Sequence, residues 1–592
     1  MIAPVSAPTW RSLVAPGYAL ALTLAVTGPL LAPGYLLLRD AVSTPRSYLT
    51  DAALGLTQAA PRALPQDFAV ALGSAVVDGG VVVKAVLILG LWLAGWGAAR
   101  LVTTVLPDAG TAGQCVAVTI AIWNPYVAER LLQGHWSLLV GYGCLPWVAA
   151  TVLALRQSPK SHSTRGNAGH DRVECDFGRI GALLFWVALA GLTPTALMLA
   201  ATIALACATA PGSGRPRWWC AAVSLAAAVT AALPWLVASA VAGGWAGAVD
   251  QRPGIEAFAA RAEPGLATLG SLAGLGGIWN AEAVPASRTT LFAIVSTGVL
   301  LAIVAVGLPV LLRRRVALPL LVVAVTAVVA PALLATGPGM AVLEGVVGAV
   351  PGLGVLRDGQ KWVALAMPAY ALAGAAAVVA LRPRLPAAAA AALCCAAVVA
   401  TLPDLVWGVG GRVGAVTYPP GWPAAAELIN ADPAPVAVLP VDSMRRFPWA
   451  GDAPVLDPLP RWVRAEVLST GDLTIAGQTV PGEGSRAREV QRLLISGSGA
   501  GELAAAGVGW VVVEGAAVDL ELPVAYRDDA LTVYAIGGDS PAAPHRALLL
   551  AAHSVWLGQL VVGLIAMLLA RLRSRHAHGR QQQLDRPERG DQ

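Results

Sequence analysis

The sequence has little charge for its length. Asp, Glu, Lys and Arg make up only 13% of the 592 residues, well below the roughly 25% of soluble domains. Lysine is scarcest, since Lys84, Lys160 and Lys361 are the only three among 40 basic residues. This composition excludes an ordinary soluble enzyme. The net charge of +5 does not indicate nucleic-acid binding either, because most arginines lie between or after apolar runs.

Cysteine is also scarce, with seven in the whole chain. All seven fall within apolar runs or in segments that we predict to be cytoplasmic. We therefore expect no external disulfide. No metal ligands are assigned from the sequence.

Apolar residues, in contrast, are abundant, at 56% of the chain with a mean hydropathy of +0.66. Apolar runs of about 18 residues or more are typical of membrane-spanning helices. We predict about twelve spans, over residues 15–37, 83–103, 111–126, 137–155, 179–192, 194–210, 218–242, 289–311, 317–336, 362–381, 386–408 and 547–570. Residues 1–408 are thus predicted to form an all-α polytopic membrane domain.

The arginines predict the orientation of these spans. They are dense in the connections 156–180, 211–217, 312–316 and 382–385 and in the tail 571–592, which is predicted to be disordered. By the positive-inside rule these segments are cytoplasmic, as are both termini. Loops 38–82, 243–288 and 337–361 and the segment 409–546 are then external to a plasma membrane.

Segment 409–546 differs in character from the rest. The stretch "GWPAAAELINADPAPVAVLP" predicts a helix near 422–430 and a buried strand at 436–441, and "GELAAAGVGWVVVEG" predicts a second helix and strand. "ELPVAYRDDALTVYAI" predicts a hairpin that turns at Asp528 and Asp529. We expect a small external α/β domain. It has no glycine-rich phosphate loop and no nucleophile elbow, so it is predicted to be a binding or packing module.

Three polar clusters fall in the predicted external loops. They are Arg39, Asp40, Arg46 and Asp51 in "LLLRDAVSTPRSYLTD", Asn124, Glu129, Arg130 and His135 in "WNPYVAERLLQGHW", and Arg357, Asp358 and Lys361 in "GVLRDGQKW". Charges this close to a bilayer are costly and are functional candidates. The alternative is that they anchor helix ends at the lipid headgroups beside interfacial aromatics. The location of all three clusters on one side favours a shared site.

The residue types suggest a division of roles. A carboxylate can act as general base on a hydroxyl, and a neighbouring arginine can hold a phosphate. Arg357 and Lys361, four residues apart, would share a helix face if their helix began early, and could clamp a phosphate or pyrophosphate. The segment after Asp51 predicts short helices that lie in the membrane interface.

The sequence resembles the GT-C superfamily of glycosyltransferases that use polyprenyl-phosphate sugars. The similar features are an acidic first external loop (Asp40, Asp51), flanking interfacial helices, basic later loops and an external C-terminal domain. The stretches "NPYVAERLLQGHW" and "LRDGQKW" are similar to those of actinobacterial membrane proteins related to mycobacterial arabinofuranosyl- and mannosyltransferases. The resemblance covers residues 15–408, but this chain has no adjacent acidic pair in the first loop.

The resemblance implies transfer of a sugar from a polyprenyl phosphate to an envelope glycan or glycolipid. It implies Asp40 first, and Asp51 second, as the base. The other implied substrate-binding residues are Arg39, Arg46, Glu129, Arg130, His135, Arg357, Asp358 and Lys361. No nucleotide is needed, and a divalent cation is left open.

Two further expectations concern the tryptophans of the external domain and the alternative functions of the protein. Trp422, Trp449 and Trp462 are either sugar platforms or core residues of that domain. The alternative functions are a transporter or flippase of a lipid-linked envelope precursor, and a non-catalytic GT-C-like scaffold.

Overall fold

The structure, a computed structural model, describes residues 11–57, 63–157, 168–241, 252–349, 353–441, 443–475, 478–480, 482, 484–515, 519–539 and 543–584. Helices dominate this part of the chain. Eight of its helices are long and apolar enough to cross a membrane: Ser12–Leu31, Gly79–Val105, Trp136–Arg156, Arg217–Val241, Phe292–Leu312, Arg315–Leu334, Gly359–Leu381 and Arg546–Arg573. The protein is therefore a multi-pass membrane protein, as the composition predicted.

The other four predicted spans are also helical but do not meet the same criteria of length and composition. Gly110–Ile122, Pro194–Ala208 and Ala387–Ala400 are shorter than 18 residues, and Ala168–Ala190 carries several charges in its first half. Ala387–Ala400 and Pro403–Gly411 form a pair bent by 75°, which counts as a ninth crossing if the pair is one span. The described part of the chain thus has eight or nine candidate spans rather than about twelve.

The α-helices of the described residues are, in chain order, α1 Arg11–Thr27, α2 Asp51–Leu54, α3 Gln66–Gly73, α4 Gly79–Val105, α5 Gly110–Ile122, α6 Pro125–Leu132, α7 Trp136–Arg156, α8 Ala168–Ala190, α9 Pro194–Ala208, α10 Arg217–Val241, α11 Arg252–Ala257, α12 Thr268–Ala273, α13 Phe292–Leu312, α14 Leu318–Leu334, α15 Gly337–Ala349, α16 Met367–Leu381, α17 Ala387–Ala400, α18 Val406–Gly411, α19 Gly421–Ala431, α20 Leu459–Trp462, α21 Ser485–Ile495, α22 Ala500–Ala505 and α23 Arg546–Leu584. The strands are β1 Tyr35–Leu38, β2 Ala41–Val42, β3 Ala415–Val416, β4 Val436–Leu439, β5 Met444–Arg445, β6 Val455–Leu456, β7 Val467–Leu468, β8 Leu473–Ile475, β9 Gln478–Val480, β10 Trp510–Glu514, β11 Val524–Arg527 and β12 Leu531–Ala535.

Small residues let the central helices pack closely. A Cβ added at Gly143 of α7 would lie 2.2 Å from the carbonyl oxygen of Gly90 of α4. Only glycine fits at such a crossing, and small residues at helix contacts are typical of membrane bundles. This contact fixes α7, whose first residue follows His135, against α4.

The first span ends earlier than predicted. A short 3-10 helix, Gly28–Leu31, follows α1, and β1 begins at Tyr35, so residues 32–37 are not part of a spanning helix. Pro29 and Pro33 lack the N–H that a longer helix needs, and Gly34 has a φ of +112°. The chain instead forms the hairpin β1–β2, and β1 also pairs with β3.

The C-terminal segment forms the expected α/β domain. Its five-stranded sheet has the order β11-β12-β10-β4-β7, with β10 parallel to β4 and β4 parallel to β7. The structure confirms the predicted helix (α19), the two buried strands (β4 and β10) and the hairpin β11–β12.

The last helix, α23, continues to Leu584. The first part of the tail that was predicted to be disordered is therefore helical, and no proline interrupts the chain between Arg546 and Leu584.

Candidate active site

The hairpin β1–β2 presents Asp40 at its tip. Leu38 pairs with Ala41, so Arg39 and Asp40 form a two-residue turn. Arg39 has a φ of +48°, a region that non-glycine residues seldom adopt. Its buried guanidinium donates to the carbonyl oxygens of Leu132 at 2.7 Å and Glu282 at 3.2 Å, which holds this unusual backbone in place.

The α/β domain also fixes this turn. The backbone N–H of Arg39 donates to Pro454 at 3.0 Å, and the N–H of Leu456 donates to the carbonyl oxygen of Arg39 at 2.8 Å. The position of Asp40 therefore depends on α6 and the segment around Glu282 as well as on the α/β domain.

The Asp40 carboxylate is oriented through one oxygen. Its Oδ2 accepts hydrogen bonds from His135 Nε2 and Gln133 Nε2, both at 3.0 Å. Within the described part of the chain its Oδ1 has no protein partner, and the side chain is 42% exposed. Although burial opposes ionisation, the bonds from His135 and Gln133 and the charge of Lys361 lower the pKa of Asp40. Asp40 is thus an ionised carboxylate with one oxygen available to a ligand.

His135 is held in one tautomer. Its Nδ1 lies 3.0 Å from Nη1 of Arg130, and a guanidinium can only donate. Nδ1 must therefore be unprotonated, so the ring proton is on Nε2, which donates to Asp40. Burial lowers the pKa of His135 and Lys361 adds to this effect, whereas Asp40 opposes it. The imidazole is neutral at physiological pH.

Arg130 links His135 to the third cluster. Its Nη1 and Nη2 donate to the two oxygens of Asp358 at 2.9 and 3.0 Å, and Nη2 also donates to Oε1 of Gln360. Lys361 Nζ lies 3.6 Å from Asp358 Oδ2 and its side chain is 24% exposed. Despite burial, Arg130 and Lys361 hold the pKa of Asp358 well below its usual range.

A chain of polar contacts therefore runs from Asp40 through His135, Arg130 and Asp358 to Lys361. We call these five residues the Asp40 cluster. Its two ends, Asp40 and Lys361, are partly exposed, whereas Arg130 is fully buried. Chemically, the exposed ends offer a carboxylate that can accept a proton from a hydroxyl, and an ammonium that can bind an anionic group.

The structure places two first-loop residues elsewhere. Asp51 begins α2 and forms an ion pair with Arg546 at the start of the last helix. Arg46 donates to Ser74 Oγ at 2.9 Å and to Ala71, and so secures α3. These contacts join the first loop to neighbouring helices, whereas the contacts of the Asp40 cluster join its members to one another.

Two other expectations about substrate contact need correction. Glu129 is fully buried and accepts from the N–H groups of Gly277 and Ile278 and from Gln360 Nε2, so it does not line an open cavity. Burial and the charge of Glu263 raise the pKa of Glu129. Arg130 is also fully buried, so it supports the Asp40 cluster from the interior rather than contacting substrate.

The predicted clamp of Arg357 and Lys361 is not formed on one helix face. The helical segment that holds Lys361 is a 3-10 helix that begins at Gly359, after Arg357. The Arg357 guanidinium lies 5.9 Å from the centre of the Phe258 ring, and its Nε donates to Gly354. Lys361 alone of the two joins the Asp40 cluster.

Trp422 and Trp462 of the α/β domain are core residues rather than exposed sugar platforms, and Trp449 is half-buried against the same core. Trp422 and Trp462 are buried, and their rings are 6.2 Å apart and nearly parallel. Trp449 stacks on Phe447 at 5.0 Å. This aromatic core contributes to packing, as the alternative prediction stated.

Several amides essential to the geometry were not singled out from the sequence. Gln133 connects Asp40 to Asn280, whose Nδ2 donates to Gln133 Oε1 at 2.8 Å. Gln360 connects Arg130 to Glu129. Both glutamines lie inside the polar stretches quoted above, but an uncharged amide carries no spacing signal.

The donor set around Asp40 does not fit a divalent cation. Ions such as Mg²⁺ require several oxygen ligands, with carboxylates prominent among them. Asp40 has a histidine, a glutamine and a lysine around it, and both oxygens of Asp358 are engaged by Arg130. Among the residues that the structure describes, no group of three or more His, Cys, Asp or Glu side chains is placed to hold a metal.

Comparisons with known proteins add little to this geometry. The chain matches no protein-family model and no curated protein. Its fold is similar to the crystal structure of the oligosaccharyltransferase from Archaeoglobus fulgidus in complex with zinc and sulfate, with a TM-score of 0.40 and 12% identity over 84% of this chain and 68% of that chain. Similarity at this level does not establish a shared activity, so the function is inferred from the site itself.

Proposed function

We propose that the protein is a membrane glycosyltransferase. It moves a sugar from a polyprenyl-phosphate donor to a cell-envelope glycan or glycolipid. The reaction takes place at the external face of the plasma membrane, with both termini in the cytoplasm. The observation that carries the proposal is the joining of an oriented, partly exposed carboxylate to a partly exposed ammonium through the Asp40 cluster, beside the start of a spanning helix.

Asp40 acts on the acceptor. The acceptor hydroxyl donates to Oδ1, the oxygen to which no described residue is bonded. As the hydroxyl oxygen forms a bond to the anomeric carbon, its proton passes to Asp40. His135 and Gln133 hold Oδ2 so that Oδ1 keeps its direction during this step.

Lys361 acts on the donor. The bond between the anomeric carbon and the phosphate oxygen breaks as the new bond forms, and negative charge develops on the leaving polyprenyl phosphate. The Lys361 ammonium stabilises that charge electrostatically. Asp358 and Arg130 keep the ammonium at this position. No step passes through a metal ion, because the donor set does not fit one.

The test is transfer by membranes that contain the protein. Radiolabelled polyprenyl-phosphate arabinose or mannose and envelope acceptors are supplied to membranes with the wild type, Asp40→Asn or Asp529→Asn. Asp529 is an exposed acid of the α/β domain and serves as the matched control. We expect transfer by the wild type and the control and its loss in Asp40→Asn. Full transfer by Asp40→Asn would refute the assigned base, and absence of transfer by the wild type would favour the transporter or scaffold.

A further inference from the structure

A cavity lies between the first loop and the α/β domain. Its volume is about 310 Å³, at the lower end of the ~300–1,000 Å³ typical of ligand pockets. The loop contributes residues around α2 and α3, and the domain contributes β4, β7 and α21. None of the five residues of the Asp40 cluster lines it, so it is a separate site.

The charged side chains of this cavity are paired with one another. Arg461 of the domain lies 3.3 Å from Asp67 of the loop, and Arg486 lies 3.3 Å from Glu466. Arg445 contacts Asp457 at 3.4 Å and Glu514 at 2.7 Å. Because each arginine already faces a carboxylate, the walls offer little net attraction for an anion such as a phosphate.

The same walls suit a ligand with many hydroxyl groups. The ion pairs present donors and acceptors side by side, and Ser47, Thr50, Ser469 and Gln491 add neutral ones. Val438 and Val467 line the cavity as well and can pack against the C–H face of a sugar ring.

The cavity adjoins the hairpin that carries Asp40. Leu456 lines the cavity, and its backbone N–H is bonded to Arg39, the residue before Asp40. Arg461 and Asp67 join the domain to the loop at the cavity wall. A ligand bound here would therefore contact both the α/β domain, which bonds to the Asp40 turn, and the loop that contains this turn.

We infer that this cavity binds an uncharged glycan segment and is the acceptor-binding site of the enzyme. The role as an acceptor site rests on the proposed function, whereas glycan binding itself does not. The acceptor is then a neutral oligosaccharide rather than a phosphorylated or acidic one.

The test measures binding without turnover. Purified full-length protein in lipid nanodiscs is titrated calorimetrically with arabinotriose and mannotriose, which are neutral, and with trigalacturonate, an anion of similar size. Ala487→Phe fills the cavity and Gln491→Ala removes one of its polar groups. Arg492→Ala, an exposed position on the same helix α21, is the control. Thermal unfolding of each variant checks that it is folded.

We expect at least one neutral trisaccharide to bind the wild type, with its Kd raised tenfold or more in Ala487→Phe and Gln491→Ala. Arg492→Ala should bind as the wild type does. If Ala487→Phe does not fold, Gln491→Ala decides. The inference is overturned if neither neutral sugar binds, if the folded cavity variants bind equally well, or if trigalacturonate binds as tightly. Sugar binding without transfer would refute only the proposed function. Transfer without this binding would refute only the assignment of the cavity as the acceptor site.

Discussion

Two groups of charged residues at the polar end of the membrane domain differ in how completely they are satisfied. In the first, Arg288 and Glu263 are both fully buried, with Arg288 Nε 2.8 Å from Glu263 Oε1 and Nη2 bonded to Oε2. Ser296 and Thr297 accept the remaining guanidinium N–H groups. In the second, the Asp40 cluster, the buried Arg130 is bonded through both Nη atoms, its Nε has no partner among the described residues, and both ends of the cluster reach the surface.

The comparison shows that residue type does not separate a structural ion pair from a reactive site. Both groups contain arginines and acids from loops that are close to the bilayer. What differs is whether a polar atom remains for a ligand. Substitutions in the fully buried Arg288–Glu263 pair, which we call the closed pair, are expected to reduce stability. Substitutions in the Asp40 cluster, whose ends are exposed, are expected to reduce turnover.

Breaking the closed pair should have the largest effect. Arg288→Met leaves the buried Glu263 carboxylate without its partner, which costs about 3–5 kcal/mol of stability. Thermal unfolding of the purified protein measures this loss. The double variant Arg288→Met with Glu263→Leu removes both charges and should recover much of it. A single variant as stable as the wild type would contradict the assignment.

Lys361→Met tests one exposed end of the Asp40 cluster. Removing a group that stabilises developing charge lowers turnover by roughly 10²- to 10³-fold. Stability should change little, because Asp358 keeps its two bonds to Arg130. Transfer assays at equal amounts of folded protein measure the effect, and Lys361→Arg should retain part of the activity. A variant that unfolds but turns over normally when folded would reverse our division of roles.

His135 should have a smaller effect, since it positions Asp40 without touching substrate. His135→Leu removes the bond to Oδ2, and we expect the transfer rate to fall about tenfold, because misplacing a reacting group costs up to ~10²-fold. His135→Gln, which can still donate to Asp40, should recover part of the rate. Separate measurement of kcat and KM checks this, and a change confined to KM would argue against positioning.

The smallest expected effect is that of pH. The pKa of Asp40 is below its ordinary value of 3.8 and that of His135 is below 6.5. Asp40 is therefore ionised and His135 mostly neutral from pH 7.5 down to pH 6.5, and the rate should stay nearly constant over this range. A rate profile with a midpoint near pH 6.5 would show that His135 titrates there and that the bond from Arg130 does not fix its tautomer.

The sequence predicted the fold better than the site. Long apolar runs and short alternations of helix and strand are local signals, so the membrane helices and the α/β domain were recognised. The hairpin at Asp40 was missed because its strands are only four and two residues long and follow directly on an apolar run.

Within the site, charged and polar residue types near the predicted spans indicated Asp40, His135 and Lys361, which the fold brings into one cluster. It indicated Asp51 and Arg357 equally, although their partners are Arg546 and Phe258. Contacts between side chains that are hundreds of residues apart in the chain depend on tertiary packing, so no local sequence pattern predicts them. The supporting amides Gln133 and Gln360 were missed for the same reason.

The most direct test compares the two first-loop acids in one preparation. Asp40→Asn and Asp51→Asn are assayed for sugar transfer from the polyprenyl-phosphate donor at equal amounts of folded protein. Loss of a general base should lower the rate by about 10²- to 10⁴-fold in Asp40→Asn. Asp51→Asn should keep the wild-type rate and lose only stability, since its partner is Arg546. Equal loss in both variants, or a larger loss in Asp51→Asn, would contradict the placement of the active site at Asp40.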